Sequence, residues 1–308
     1  MLSFAETARA WIAASRPHTL SAAAVPVAVG SALAAAQGQF AWHLFALTLL
    51  GSLLVQIGTN FTDEFADHGA TASAHKYLAP HKVIARGLLS VRAVKLGALA
   101  VFALATLIGL RLVAHAGWPL LAVCVVSLAC AYGYSAGPLP LGDLALGEGV
   151  VFLLMGPVMV MSTVYVQSLR WDWLALWYAL PVGALVTAIL MANNLRDGVE
   201  DRLLGRRTVV TLFGARAVRA AHGAMVLLAF LSPPLAMAAG WSTPWVLLSW
   251  LTLPLALRVR GLLRAEDDRE RLHRALKGTS ALHGAFGLLL AAALLAERWL
   301  AGGGEGAP

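Results

Sequence analysis

Asn193, Asp197 and Asp201 stand four residues apart, and Asn60, Glu64 and Asp67 follow an i, i+4, i+7 pattern with Asp63 four before Asp67. On a helix each set lies along one stripe. An amide followed by carboxylates is an all-oxygen donor set suited to a hard divalent cation. Magnesium commonly takes one or two carboxylates together with phosphate oxygens. Basic residues follow each set, Lys82 and Arg86 after the first and Arg206 and Arg207 after the second. They offer the positive charge that a phosphate-rich ligand requires. Acids at helix ends can also serve only as caps and local ion partners. Two matched clusters, each followed by a basic loop, favour a ligand site.

The elements that must position these residues are apolar. Leu174 to Ala192, just before Asn193, carries no charge. Of the 308 residues 59% are hydrophobic and 13% charged, with a mean hydropathy of +0.74, where a soluble domain is about 25% charged. This is the composition of a polytopic, all-α membrane protein embedded in a lipid bilayer. Its net charge of +7 does not point to nucleic acid, because the basic residues sit in loops between apolar runs.

At about twenty residues per crossing, nine transmembrane helices are expected near 19–37, 41–62, 88–112, 117–135, 145–167, 173–194, 210–236, 241–259 and 279–299. Arg9 and Arg16 precede a first run long enough to span, so no cleavable signal is expected. With nine spans, twenty Lys and Arg residues fall on one side and only Arg111, Arg170 and Arg298 on the other. The positive-inside rule then places the N-terminus and both acidic clusters in the cytoplasm and the C-terminus outside. Trp42, Trp118, Trp171, Trp173, Trp241, Trp245 and Trp299 gather at the poorly charged ends, as an interfacial belt does. The two acidic ends, "NFTDEFADHG" and "NNLRDGVEDRLLG", lie four helices apart. This suggests one domain over 1–308, made of two pseudo-repeated four-helix halves and a ninth helix, with a flexible tail at 301–308.

Other chemistries find less support. The nine histidines show no His-Glu-x-x-His spacing, and there is no Gly-x-Ser-x-Gly elbow or P-loop. The Gly-rich stretch around Gly147 has no strand before it, which argues against dinucleotide binding. Cys124 and Cys130 share one apolar span about 120° apart and are expected to be packing residues. Glu148 enters an uncharged helix, either to bond helix-start amides or to meet a substrate. Intramembrane acids also relay ions in coupled transporters. Here the acids sit at one membrane face rather than mid-span, which favours an enzyme.

"RPHTL" at 16–20, the acids at 63–67, "HKVIARGLLS" at 81–90 and "NNLRDGVEDRLLGRRT" at 193–208 resemble the UbiA superfamily of membrane prenyltransferases over residues 15 to 215. The stretch from Tyr134 to Gln167 is similar to the branch that prenylates 1,4-dihydroxy-2-naphthoate in menaquinone synthesis. The resemblance implies nine helices around a central cavity, in the cytoplasmic membrane of a bacterium. It implies Mg2+ held by Glu64, Asp67, Asp197 and Asp201, and a polyprenyl diphosphate bound with help from Lys82, Arg86, Arg206, Arg207, Asn60 and Asn193. An aromatic acid would be the acceptor, with 4-hydroxybenzoate the alternative to the naphthoate and Arg16, Tyr134 and Glu148 lining its pocket. The family's first motif commonly reads Asn-Asp-x-x-Asp, so Asp63 stands where an amide is usual and Glu64 where an aspartate is. A further acid of relatives is replaced near Thr71. Both departures bear on the geometry of the first metal site.

Overall fold

The structure is a computed structural model that describes residues 3–70, 81–137, 140–264 and 268–302. The described residues form helices and contain no strand. A short helix α1 (Phe4–Ala14) is capped by Ser3 and Glu6 in a reciprocal box. It meets α2 (Ser21–Ala36) at a bend of 53°. Long helices follow: α3 (Trp42–Ala70) and α4 (Val91–Ala116), then the shorter α5 (Trp118–Gly133). Next, α6 (Gly147–Leu153) and α7 (Met159–Ser168) are joined by a π turn at Leu154–Val158. The remaining helices are α8 (Leu174–Leu203), α9 (Val209–Ala238), α10 (Leu253–Leu263) and α11 (Arg269–Gly302).

Seven segments are long and apolar enough to cross a membrane, and an eighth if α1 and α2 count as one bent span. The count is therefore slightly below the expected nine. The difference lies in α5, whose 16 residues are fewer than the ~20 of a full crossing. Gly117 with φ +79° opens it and Gly137 with φ +101° follows it closely, so turns cut the apolar run at both ends. The expected tail lies outside the described residues from 303 onward, and so does Thr71.

Helix α8 is the hub. In its most apolar window 72% of residues are buried, against 22% for α4, which therefore faces lipid along most of its length. Close approach is made by small residues, as is general where helices pack in lipid. A Cβ added to Gly156 would stand 2.8 Å from the Gly183 Cα, so the π turn lies directly on α8. Pro157 sits in that turn. It supplies no N–H, and the widened turn accommodates the loss. The largest core cluster joins α2, α7, α8, α9 and α11 through residues such as Val29, Val164, Leu185, Phe230 and Phe286. A second core joins α3, α4, α5 and α7. Between them a cavity of about 450 Å³ remains.

Candidate active site

The cavity has a polar head and an apolar shaft. Its head is built where the ends of α3 and α8 meet the segments that follow them, and Asp67, Lys82, Asp197, Asp201 and Arg206 line it. Its shaft runs along α3 as far as Thr48 and is walled by apolar residues of α4, α5 and the π turn, among them Ile108, Leu112, Leu120 and Met155. Nineteen residues of α3 separate Thr48 from Asp67, about 28 Å at 1.5 Å per residue. The shaft therefore reaches across most of a hydrocarbon core about 30 Å thick. Cys124 and Cys130 are free thiols, and both line this shaft.

On α3, Asn60, Asp63 and Asp67 face the cavity. The Asn60 amide also ties the chain together: its Nδ2 donates to the Ser15 carbonyl at 2.8 Å and to Thr19 Oγ1 at 3.1 Å. It thereby pins the bend between α1 and α2. Arg16 stands in that bend in a left-handed conformation, φ +50°. Its guanidinium pairs with Asp63, whose other oxygen accepts from Ser135 Oγ at 3.1 Å.

Glu64 is placed differently from the sequence expectation. It is 2% exposed and is not among the cavity-lining residues. Its Oε1 accepts the Ile84 N–H at 2.9 Å, and its Oε2 lies 3.9 Å from Lys82 Nζ. In this arrangement Glu64 holds the turn that carries Lys82, and Asp63, discounted in the sequence, faces the site. The physical reason is the packing of residues 81–84 against the back of α3, a non-local contact.

A buried arginine, Arg196, and a partly exposed one, Arg206, organise the second cluster. Arg196 is 5% exposed; it donates to Asp197 Oδ1 at 2.7 Å and to Asn193 Oδ1 at 2.8 Å. Asn193 in turn donates to Asp197 at 3.4 Å. Arg206 reaches Asp67 at 2.7 Å, Asp143 at 3.3 Å and Asp201 at 3.6 Å, while Lys82 pairs with Asp67. Asp201 also accepts from Thr208 Oγ1 at 3.3 Å. Burial opposes the charge on Arg206, but Asp67, Asp143 and Asp201 outweigh it and raise its pKa further. Burial raises the Asp143 carboxyl, and Arg206 counters it.

Other expected residues lie off the cavity. The Arg86 and Arg207 side chains are exposed and do not line it; Arg207 contributes its backbone N–H, to the Asp143 carbonyl at 3.1 Å. Tyr134 does line it, over two glycines. A Cβ at Gly147 would stand 3.0 Å from the phenol oxygen, and one at Gly142 would stand 3.1 Å from Cε1. Burial, then the Glu148 charge, push its phenol pKa upward. Glu148 is behind the wall and accepts from the lining residue Asn194 at 2.7 Å.

Sequence reasoning missed Arg196, Asp143, Ser135 and His81, all of which line the cavity. Arg196 was within reach, since it lies inside the second acidic motif and a cation there must be paired. Asp143 offered only a lone acid in a loop. His81 opens the stretch 81–90 and Ser135 lies in the stretch from Tyr134 to Gln167, but within them only Lys82, Arg86, Tyr134 and Glu148 are read as site residues.

Five carboxylates (Asp63, Asp67, Asp143, Asp197 and Asp201) and four cations (Arg16, Lys82, Arg196 and Arg206) thus face one space, each charge paired. A bare diphosphate would meet net repulsion there. Among the described residues no group of three or more His, Cys, Asp or Glu side chains is placed to hold a metal ion by itself. Oxygen donors that leave coordination positions for phosphate fit magnesium, which is seldom held by protein alone.

Comparison with known proteins agrees with this architecture. The chain is 32% identical to the 1,4-dihydroxy-2-naphthoate octaprenyltransferase of Mycobacterium tuberculosis (strain ATCC 25618 / H37Rv), over 96% of this chain and 98% of that one. It is 29% identical to the protein of the same name from Bacillus subtilis (strain 168), over 91% and 90%. Its fold is similar to a UbiA homolog from Archaeoglobus fulgidus bound to GPP and Mg2+, with a TM-score of 0.64 and 14% identity over 92% of this chain and 99% of that one. A UbiA homolog from Aeropyrum pernix K1 gives 0.66 and 18%, over 89% and 96%. With the UbiA prenyltransferase family pattern matching residues 23–283, this multi-pass membrane chain belongs to that family.

Proposed function

We propose that the protein transfers a polyprenyl group from a polyprenyl diphosphate to 1,4-dihydroxy-2-naphthoate, a step of menaquinone synthesis. The observation that carries this reading is a paired acid–cation head at the mouth of an apolar shaft. Such a space accepts a charged head group and a long hydrocarbon tail together. Each CH₂ withdrawn from water is worth about 0.8 kcal/mol, so the tail partitions into the bilayer and an intramembrane shaft receives it there. The names of the relatives supply the acceptor.

Asp67, Asp197 and Asp201 would hold magnesium, which would neutralise the diphosphate as it departs. Arg206 and Lys82 place positive charge beside the same oxygens. The apolar walls keep water from an allylic cation that would otherwise be quenched to the alcohol. Arg16 and Tyr134 line the side where a planar acceptor enters, and Asn194, held by Glu148, completes it. The paired ends of α3 and α8 support a single domain with two related halves. The distribution of Lys and Arg supports a cytoplasmic N-terminus and active-site face in a bacterial inner membrane.

The test is purified protein with Mg2+, a polyprenyl diphosphate and a panel of aromatic acids. Prenylated, decarboxylated naphthoate product is expected. Turnover of 4-hydroxybenzoate alone would reassign the acceptor, and no product with any acid would overturn the reading.

A further inference from the structure

Cys124 Sγ stands opposite the bare backbone of Gly109. A Cβ built on that glycine would lie 3.6 Å from the sulfur and would meet no other helix within 4 Å. Next to it in the chain, Ile108 Cγ2 faces Gly51 of α3, whose added Cβ would lie 3.3 Å away. Gly51, Ile108, Gly109 and Cys124 all line the shaft. Three helices thus ring one level of it with two glycines, an isoleucine and a thiol. Gly51 lies sixteen residues before Asp67 on α3, which sets this collar about 24 Å from the acid head.

Beyond the collar the shaft closes. Leu112, Leu120 and Val166 line its end and pack together as buried core. Tyr165 ties the same region, its Oη donating to the Ala116 carbonyl at 2.9 Å. At the collar itself the wall opens to the side: Leu110 of α4 and Leu121 and Val125 of α5 line the shaft and yet are exposed. A chain longer than the shaft has this opening as its way out, across Gly109 and Cys124.

We propose that Gly109 and Cys124 fix the length of prenyl tail that the protein accepts, an assignment that rests on the polyprenyl-donor reading above. A farnesyl chain has eleven carbon–carbon bonds along its length, so at about 1.5 Å each it stays below about 17 Å. It ends short of the collar. An octaprenyl chain is nearly three times as long and must pass it. The missing side chain at residue 109 leaves the gap that a long tail needs. A large side chain at this level, from either α4 or α5, fills that gap and leaves the upper shaft as it was.

The experiment compares wild type, Gly109→Ala, Gly109→Leu and Cys124→Trp, each with farnesyl diphosphate and with octaprenyl diphosphate at saturating Mg2+ and acceptor. Steady-state kinetics are measured together with equilibrium binding of each donor. Gly109→Leu and Cys124→Trp should lose about tenfold or more in kcat/KM and in affinity for the octaprenyl donor, because a tail forced past a filled gap overpacks it. Both should stay within about threefold of wild type for the farnesyl donor. Gly109→Ala should shift in the same direction by less. Equal losses for the two donors would overturn the assignment, as would an octaprenyl kcat/KM within about threefold of wild type in either large variant. A wild type that neither binds nor transfers either chain would instead overturn the reading on which it rests.

Discussion

Arg206 Nη2 donates to Asp67 Oδ1 at 2.7 Å, a bond between residues 139 positions apart. It joins the last turns of α3 to the loop that leaves α8, and the same guanidinium lies 3.6 Å from Asp201. One side chain therefore touches a carboxylate of each acidic cluster. Any ligand that binds both clusters must share them with Arg206.

Arg206→Ala should lower kcat/KM for the diphosphate donor by about 10²–10³-fold, the usual loss when a group that stabilises departing negative charge is removed. Arg206→Lys should recover part of it, because lysine keeps the charge but not the fork that reaches three acids. Kinetics at saturating Mg2+ provide the check. An alanine variant within threefold of wild type would exclude Arg206 from the diphosphate site.

Asp197→Asn and Asp201→Asn are each expected to reduce turnover by about a hundredfold or more, several kcal/mol of transition-state stabilisation. Membrane insertion should be unaffected, as judged by yield and by elution from a sizing column. Near-normal activity in either variant would remove that residue from the metal site.

Glu64→Gln should act on the fold more than on magnesium. Glu64 is a buried carboxylate bonded to the Ile84 N–H, and losing its charge should cost about 1–3 kcal/mol of stability. The Mg2+ concentration for half-maximal rate should stay near that of wild type, whereas Asp63→Asn, which releases Arg16, should raise the KM for the acceptor. Melting curves and a magnesium titration test both. A tenfold shift in magnesium requirement for Glu64→Gln would restore it as a ligand.

Gly156→Ala tests the contact at the hub. The added methyl would lie 2.8 Å from the Gly183 Cα, a backbone atom that cannot step aside alone. A loss of about 1–3 kcal/mol is expected for such overpacking. An unchanged melting temperature in detergent would mean that the π turn does not press on α8.

Sidedness gives a further check. A diphosphate head does not cross hydrocarbon unaided, so inside-out vesicles should prenylate added substrates while right-side-out vesicles stay nearly silent. A magnesium chelator should abolish the reaction, and no ion gradient should be needed. Gradient-driven uptake without prenylated product would favour a transporter.

The spans were legible because each is a long, predominantly apolar run, a property of consecutive residues. So was the opposition of α3 and α8, through the spacing of their acids. The choice between Asp63 and Glu64 was not. Positions three and four beyond Asn60 both lie near its stripe, and only the packing of residues 81–84 behind the helix decides which side chain faces the cavity. Asp143 and His81 were hidden for a similar reason. Asp143 lies in a single 3-10 turn, Leu141–Leu144, and His81 in a loop, where no periodicity reports direction, and each lines the cavity beside side chains distant in sequence. The brevity of α5 was also hard to read, since hydropathy continues past the glycines that end it.

The pairing of Asp67 has a consequence for biogenesis. At ~5–20 residues per second of synthesis, the 139 residues between Asp67 and Arg206 take roughly 7–28 s to emerge. During that interval a carboxylate stands at the mouth of a newly inserted helix, where an unpartnered charge is expensive. Lys82 follows only 15 residues behind Asp67 and arrives within about 1–3 s on the same scale. The nascent first half can thus hold its own acid until the second half is made. A chain with Lys82→Ala should then show its defect earliest as slowed assembly, visible in pulse-chase before any catalytic assay is run.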